Sequence, residues 1–257
     1  MSKVRREDQA GVALITLDRP EARNAIDTEA AHALAALVHE VERDPAVLAV
    51  VLTGAGDKAF CAGADLKELA GGSAAGGRST SEGGFAGVTH APRDKLWIAA
   101  VNGAAMAGGF ELVLACDFAI AAPHAVFALP EVKRGLAAVA GGVWRLPRAV
   151  ARGVALEMIA TGEPIDAAEA LRLGLVNRVV PADRLLPEAL AIAARVAANA
   201  PLAVRASLAL ARRAHDLDDA ALRVEADAIG RRVMASADAR EGPRAFAERR
   251  EPRWTGR

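Results

Sequence analysis

Two glutamates and a pair of glycines carry the chemistry in this chain of 257 residues. Glu111 lies in the stretch Trp97-Ile-Ala-Ala-Val-Asn-Gly-Ala-Ala-Met-Ala-Gly-Gly-Phe-Glu-Leu-Val-Leu-Ala-Cys-Asp117, between Phe110 and Leu112. A carboxylate amid Phe, Leu, Val and Ala is costly to bury unless it is paired or used. Gly108 and Gly109 stand where a loop turns into a helix, so unpaired backbone N–H groups there point at whatever lies in front of them. Polarising donors beside a desolvated carboxylate point to catalysis. Farther along, Glu131 follows Pro130. An acid after proline in a first turn is favoured by the helix dipole, so Glu131 reads either as a helix cap or as a second catalytic carboxylate. For Glu111 the structural alternative is a buried pair with an arginine.

The elements that must position these residues alternate between strand and helix. Gly11 to Leu17 is a compact β-rich run, and the polar segment before it can pair with it as a hairpin across Asp8 to Gly11. Asp27 caps a predicted helix from about Thr28, with Leu34, Leu37, Val38 and Val41 at helical spacing until Asp44-Pro45 stops it. Val47 to Leu52 is apolar without alternation, as in a strand covered on both faces. Thr53 to Leu69 is turn-rich and runs into a short helix; it contains neither GxGxxG nor a Walker Gly-Lys-Ser/Thr. Gly71 to Gly84 reads as a mobile loop, either a surface excursion or a lid, with Phe85 and Val88 able to touch a substrate. Ile98 to Val101, Phe118 to Ala121 and Ala125 to Leu129 read as strands, then a helix is predicted around Arg148 to Thr161. Helix, a strand over Leu175 to Val180 and helix again follow Asp166. The interleaving predicts an α/β core with crossover connections. Asn199-Ala-Pro201 marks a boundary between units 1–198 and 199–257, with Pro201 suited to a first helical turn. In the second unit Val204, Leu208 and Ala211, and then Leu222, Ala226, Ile229 and Val233, form apolar faces that need something to pack on.

Composition narrows the classes of function. The chain is 53% hydrophobic and 25% charged, enough for one large core, and its 32 basic residues balance 32 acidic ones, so net charge does not call for a polyanion or an acidic membrane. Met1 to Asp8 lacks the apolar core of a signal peptide, no apolar run reaches a membrane span, and the cysteines are Cys61 and Cys116 alone; a cytoplasmic protein is expected. Cys61 has no histidine near it in sequence, which argues against a nucleophilic role. His32, His39, His90, His124 and His215 are scattered, and no metal site is expected. The arginine-rich end, with Arg244, Arg249, Arg250, Arg253 and Arg257, is interleaved with glutamates and fits a solvated helix or a contact with coenzyme A phosphates better than nucleic acid.

Four segments in order carry a resemblance that covers nearly the whole chain. Leu17-Asp-Arg-Pro20 with Asn24-Ala25, Phe60-Cys-Ala-Gly-Ala-Asp-Leu66, Ala100-Val-Asn-Gly103 with Gly108-Gly-Phe-Glu-Leu112, and Pro130-Glu131 before Gly141-Gly142 resemble the enoyl-CoA hydratase (crotonase) family. The resemblance implies a spiral of ββα units followed by helices that pack against neighbouring subunits, as a homotrimer or a dimer of trimers. It implies that the backbone N–H groups of Ala64 and Gly108 form an oxyanion hole for the thioester of an acyl-CoA. Glu111 and Glu131 would then flank a water that adds across the conjugated double bond, one as base and one as acid, in an order the sequence leaves open. Ala62, Asp65, Leu66 and Lys67 fall in the segment that lines the coenzyme A site, Asp65 reading also as the cap of the short helix after Ala64. No cofactor is implied, coenzyme A being part of the substrate.

A narrower similarity points to the acyl group. Gly83-Gly-Phe-Ala-Gly-Val-Thr89, Gly109-Phe-Glu111, Phe127-Ala-Leu-Pro-Glu131, and Glu241-Gly-Pro with Phe246-Ala-Glu248 are similar to carnitinyl-CoA dehydratases, whose substrate carries a trimethylammonium group. Against this, the chain has no tyrosine and the loop Leu136-Ala-Ala-Val-Ala140 is apolar where those relatives carry polar residues; Trp97, Trp144 and Phe85 are the aromatic candidates for a cage. Where the family has Gly-x-x-Pro before its Gly-Gly pair, this chain has Gly135-Leu-Ala-Ala138. The expected function is hydration of 2-enoyl-CoA thioesters, with carnitinyl-CoA dehydration as the alternative within the chemistry, and a non-catalytic acyl-CoA- or RNA-binding protein as the alternative outside it.

Overall fold

The computed structural model describes residues 2–70 and 75–257. Strands β1 (Val4–Gln9) and β2 (Val12–Leu17) form an antiparallel hairpin. Its two turn residues, Ala10 and Gly11, both have positive φ, the twist that a two-residue hairpin demands. Helix α1 (Thr28–Arg43) starts where the Asp27 carboxylate accepts from the Ala30 N–H at 2.8 Å, and buries Ala30, Ala31, Leu34, Val38 and Val41 along one face. Strand β3 (Ala49–Gly54) is buried along its length. It leads to β4 (Ala59–Cys61) and α2 (Leu66–Ala70), then a 3-10 turn over Ala75–Arg78 and the small hairpin β5 (Ser79–Thr80) and β6 (Gly84–Phe85).

The same succession of strand, strand and helix recurs twice. β7 (Leu96–Val101) passes to β8 (Ala104–Met106) and α3 (Gly108–Ala115). β9 (Phe118–Ala121) passes to β10 (Val126–Ala128), a 3-10 turn over Pro130–Arg134, and α4 (Gly142–Ala149). Then come α5 (Arg152–Thr161), β11 (Ile165–Asp166), α6 (Ala167–Arg172), β12 (Arg178–Val179) and α7 (Ala182–Ala197), and finally α8 (Pro201–Arg212), α9 (Asp219–Met234) and α10 (Ala237–Glu248). The first strands of the units build a six-stranded sheet, β1-β2-β3-β7-β9-β12, parallel after the opening hairpin; the second strands build a four-stranded sheet, β11-β10-β8-β4.

Both faces of the large sheet are covered, which is why its strands do not alternate. Ile15, Val50, Leu52, Trp97, Ala99 and Val101 face the core shared with α1 and the second sheet, while Ala49, Val51, Ile98, Ala100 and Ile120 pack against Leu185, Ala189 and Ala193 of α7. Helix α8 is clasped to this body: Arg212 donates to both oxygens of Asp117, each at 2.7 Å, and to the carbonyls of Arg93 and Lys95. Helix α9 has no fully buried residue, and Val224, Met234 and Phe246 are 70%, 73% and 87% exposed.

Three expectations change. The helix expected around Arg148 to Thr161 is two helices, because the backbone is extended at Val150 and Ala151. Of Leu175 to Val180 only Arg178–Val179 pairs, in parallel with β9; Leu175 and Val176 are instead buried in the turn that leaves α6. The loop expected over Gly71 to Gly84 lies outside the described residues at 71–74, and from Ala75 onward it is a 3-10 turn and a hairpin anchored by buried Arg78, which donates to Glu68 at 2.9 Å. Among the described residues no single helix is long and apolar enough to cross a membrane.

Candidate active site

Strand β8 sets the geometry of the Glu111 helix. Ala107 still donates to the Ala128 carbonyl at 2.9 Å, yet the next residue begins α3, so Ala107 is turned to φ +53°, ψ −127°, a region that L residues avoid. Gly108 thereby becomes the first residue of a helix, where an N–H has no partner four residues back. The 61–64 segment packs on it backbone to backbone: a Cβ on Gly109 would stand 2.0 Å from the Cys61 oxygen, and one on Gly63, at φ +89°, 3.0 Å from the Gly108 nitrogen. Ile26 donates to the Gly63 carbonyl and accepts from the Asp65 N–H, both at 2.8 Å, which pins the segment on either side of Ala64. Among the described residues neither the Ala64 nor the Gly108 N–H is engaged. Both residues line one cavity of about 470 Å³.

The motif residues upstream brace this loop. The Asn24 side chain donates to the carbonyls of Ala55 and Ala59 at 2.9 and 2.8 Å, and Asn102 accepts from Gly54 and donates to Gly56. Arg19 reaches the Ala25 carbonyl at 2.6 Å and the carboxylates of Asp27 and Asp65, each at 3.1 Å.

Glu111 and Glu131 open onto the same cavity with unequal surroundings. Glu111, 4% exposed, accepts from the Gly142 N–H at 2.9 Å. Burial pushes its carboxyl up, against the opposing pull of the Gly142, Ala140 and Gly141 N–H groups and of Arg145. Glu131 sits in the first turn of the 3-10 segment after Pro130, and its Oε2 is buried with no hydrogen-bond partner. Burial, and then the charge of Glu111, push it up to about 7, against its own N–H and Arg134. Of two carboxyls in one apolar pocket, the one supplied with more donors is the better carboxylate and the one with an oxygen left unpartnered is the better acid.

Ala62, Ala64, Leu66, Gly108, Glu111 and Glu131 thus meet in one cavity, whereas Asp65 and Lys67 do not line it. Asp65 accepts from Arg19 and from the Lys67 N–H, each at 3.1 Å, which fits its reading as the cap of the short helix. Lys67 is exposed beyond the rim. Phe85 does line the cavity, its ring filling the space beside Gly108. Arg23, Arg134 and Val139 also line it; the sequence reading missed the two arginines because an isolated arginine in a loop reads as a solvated residue. Trp97 is wholly buried and donates to Glu42, and Trp144 stacks on His90 at 5.8 Å outside the lining, so of the three aromatic candidates only Phe85 faces the cavity. Burial pushes the Cys61 thiol up to about 12, which leaves no thiolate for attack. Arg244 and Arg250 at the basic end are paired with Glu248 and Glu241. A further cavity of about 400 Å³, between α1 and the segment 80–94, holds His39 and Glu82 paired with each other at 3.1 Å and none of the groups above.

Residues 7–257 match the family model described as enoyl-CoA hydratase/isomerase. The chain is 43% identical over 248 residues, 95% of its length and 94% of the relative's, to a carnitinyl-CoA dehydratase of Proteus mirabilis. It is 44% identical over 247 residues, 94% of each chain, to one of Salmonella arizonae. Among solved structures, an enoyl-CoA hydratase from Mycobacterium tuberculosis superposes with a TM-score of 0.95 at 39% identity, and a carnitinyl-CoA hydratase from Mycobacterium avium with 0.77 at 48%; each covers 100% of both chains.

Proposed function

The chain is an enzyme of the enoyl-CoA hydratase/isomerase family, and we propose that its cavity adds water reversibly to 2-enoyl-CoA thioesters to give 3-hydroxyacyl-CoA. The observation that carries this reading is the inequality of the two carboxyls beside two unengaged N–H groups. Glu111, as the carboxylate, takes a proton from water as its oxygen bonds to C3 of the acyl group. The electron pair of the double bond moves toward the thioester, whose oxygen the Ala64 and Gly108 N–H groups hold as it gains charge. Glu131, as the acid, delivers its proton to C2. One proton has been taken up and one given, so the pair keeps a single proton throughout. Ala62 and Leu66 lie along the entrance where the coenzyme A portion would run.

The acyl group in this proposal is uncharged. A trimethylammonium head gains from aromatic faces or a free carboxylate. The lining includes Leu136, Ala137, Val139 and Ala140, one aromatic ring and two arginines of the wrong sign, and its two carboxyls, Glu111 and Glu131, are the ones committed to the hydration chemistry. The names of the relatives above favour the second reading, carnitinyl-CoA dehydration by the same two glutamates. Loss of the conjugated enoyl-thioester absorbance with crotonyl-CoA, longer 2-enoyl-CoAs and crotonobetainyl-CoA tests both. An uncharged substrate is expected to be better by at least roughly tenfold in kcat/KM, about 1.4 kcal/mol of transition-state binding. Equal or faster turnover of crotonobetainyl-CoA installs the second reading, and binding without turnover of any of them defeats hydration altogether.

The division into a spiral of residues 1–198 and a helical region of 199–257 belongs to the same proposal. The uncovered apolar side chains of α9 and α10 support assembly through that region into a trimer or a dimer of trimers. The pairing of Arg244 and Arg250 with glutamates supports a role without nucleic acid, and a cytoplasmic location is part of the same proposal.

A further inference from the structure

Two walls of the cavity are held to each other by a side chain that lines neither. One wall is the loop before α4, which supplies the Gly142 N–H to Glu111; the other is the segment 83–90, which carries Phe85 against Gly108. Arg145, one turn into α4, folds back over the start of its own helix. Its Nη1 donates to the Ala140 carbonyl at 3.2 Å, and its Nη2 donates to the Thr89 carbonyl. The same Nη1 stands 1.8 Å from where a Cβ on residue 141 would be, so a side chain there would displace the guanidinium, and the φ of +134° at Gly141 disfavours one in any case. Beside it Trp144 stacks on His90, a second tie between the two segments, and the Arg145 Cζ lies 5.6 Å from the Trp144 ring.

We propose that Arg145 is a positioning residue for the Glu111 carboxylate, acting through the Ala140 to Gly142 backbone. The assignment deepens the hydration reading and rests on it. Among the described residues Arg145 has no carboxylate within ion-pair distance, although it is half-buried. Burying a cation without an ion pair is costly, and a methionine of similar length would fill the space, so packing alone does not account for it. What the arginine does supply is a rigid fork that spans two carbonyls from two segments, which a lysine ammonium on a flexible stem does not match. Its charge also faces Glu111. The other charged and titratable groups around the pair are Glu131 across the cavity, and Arg93, Arg148 and the Cys116 thiol around the guanidinium.

The test uses the full chain with Arg145→Met and Arg145→Lys, assayed for kcat and KM and for the titration of Glu111 followed by carboxyl 13C NMR. Arg145→Met is expected to lower kcat by roughly ten- to a hundredfold, as a misplaced base does, with KM within about twofold and the Glu111 titration moved upward. Arg145→Lys is expected to return the titration toward that of the parent while recovering only part of kcat. A folded Arg145→Met protein with parental kcat, or with Glu111 titrating as in the parent, overturns the assignment. Should Arg145→Met not fold, Arg145→Lys decides alone: lowered kcat at unchanged KM upholds it and parental kcat overturns it. Should the parent hydrate no enoyl-CoA, the hydration reading fails, and the Glu111 titration still decides whether Arg145 sets that carboxylate.

Discussion

Substituting Gly109 by alanine tests the oxyanion geometry without replacing a polar side chain. The new Cβ would arrive 2.0 Å from the Cys61 carbonyl oxygen, 2.7 Å from its carbon and 2.8 Å from its Cβ. Backbone does not yield as a flexible side chain does, so either the Cys61 segment or the first turn of α3 must withdraw by about 1 Å to reach the shortest tolerable contact. Ala64 follows Cys61 by three residues and Gly108 is next to the substitution, so the withdrawal separates the two N–H donors. A donor about 1 Å too far no longer makes a hydrogen bond of normal length. Loss of one such donor costs roughly 10²–10³ in kcat, about 2.7–4 kcal/mol, while overpacking costs about 1–3 kcal/mol of stability. The assay is hydration of the best enoyl-CoA beside a thermal melt of the same preparation. A folded Gly109→Ala protein that keeps kcat within about threefold of the parent would refute the claim that this contact sets the distance between the donors.

Other outcomes follow from the carboxyl pair and the helices. Glu111→Gln and Glu131→Gln are each expected to lower hydration by about a hundredfold or more with acyl-CoA binding retained; near-parental turnover of either ends the paired mechanism. With Glu131 at about 7, kcat/KM should fall about tenfold per pH unit above 7 as the pair loses its one proton, identically in both directions because the reaction consumes no net proton; a flat profile from pH 6 to 9 would contradict this. Because the folded-state value of Glu131 is raised, its contribution to stability is greatest below its unfolded value and is lost as pH rises through about 7, so Glu131→Gln should melt above the parent at pH 8 and lose that advantage at pH 4. Light scattering should show a trimer or a multiple of one at micromolar concentration, and a stable monomer counts against assembly through α9 and α10.

What could be read from the chain without coordinates was whatever is written locally. The Asp27 cap, the hairpin across Asp8 to Gly11 and the uninterrupted apolarity of β3 are each consequences of a few neighbouring residues. Glu111 and Gly108 stand out for the same reason, a carboxylate and a helix start inside an apolar run. What could not be read depends on residues far apart. The cap role of Asp65 is legible locally, but its partner Arg19 is remote in sequence and is not. Arg145 gave no sign of its reach to Thr89, and the inequality of the two glutamates arises from the Gly142 N–H on one and an unpartnered Oε2 on the other. The break between α4 and α5 is a tertiary decision that helical spacing does not record.

The clasp made by Arg212 bears on whether the spiral could exist by itself. Asp117 closes the segment that holds α3, and its two oxygens are both occupied by a guanidinium that enters from α8, beyond the boundary at residue 198. A chain stopped at that boundary would leave Asp117 without its cation, and the Arg93 and Lys95 carbonyls without the Arg212 donors they now have. The tail is therefore tied to the segment that carries Glu111 as well as being a surface for a neighbouring subunit, and a chain cut at residue 198 is expected to melt below the parent.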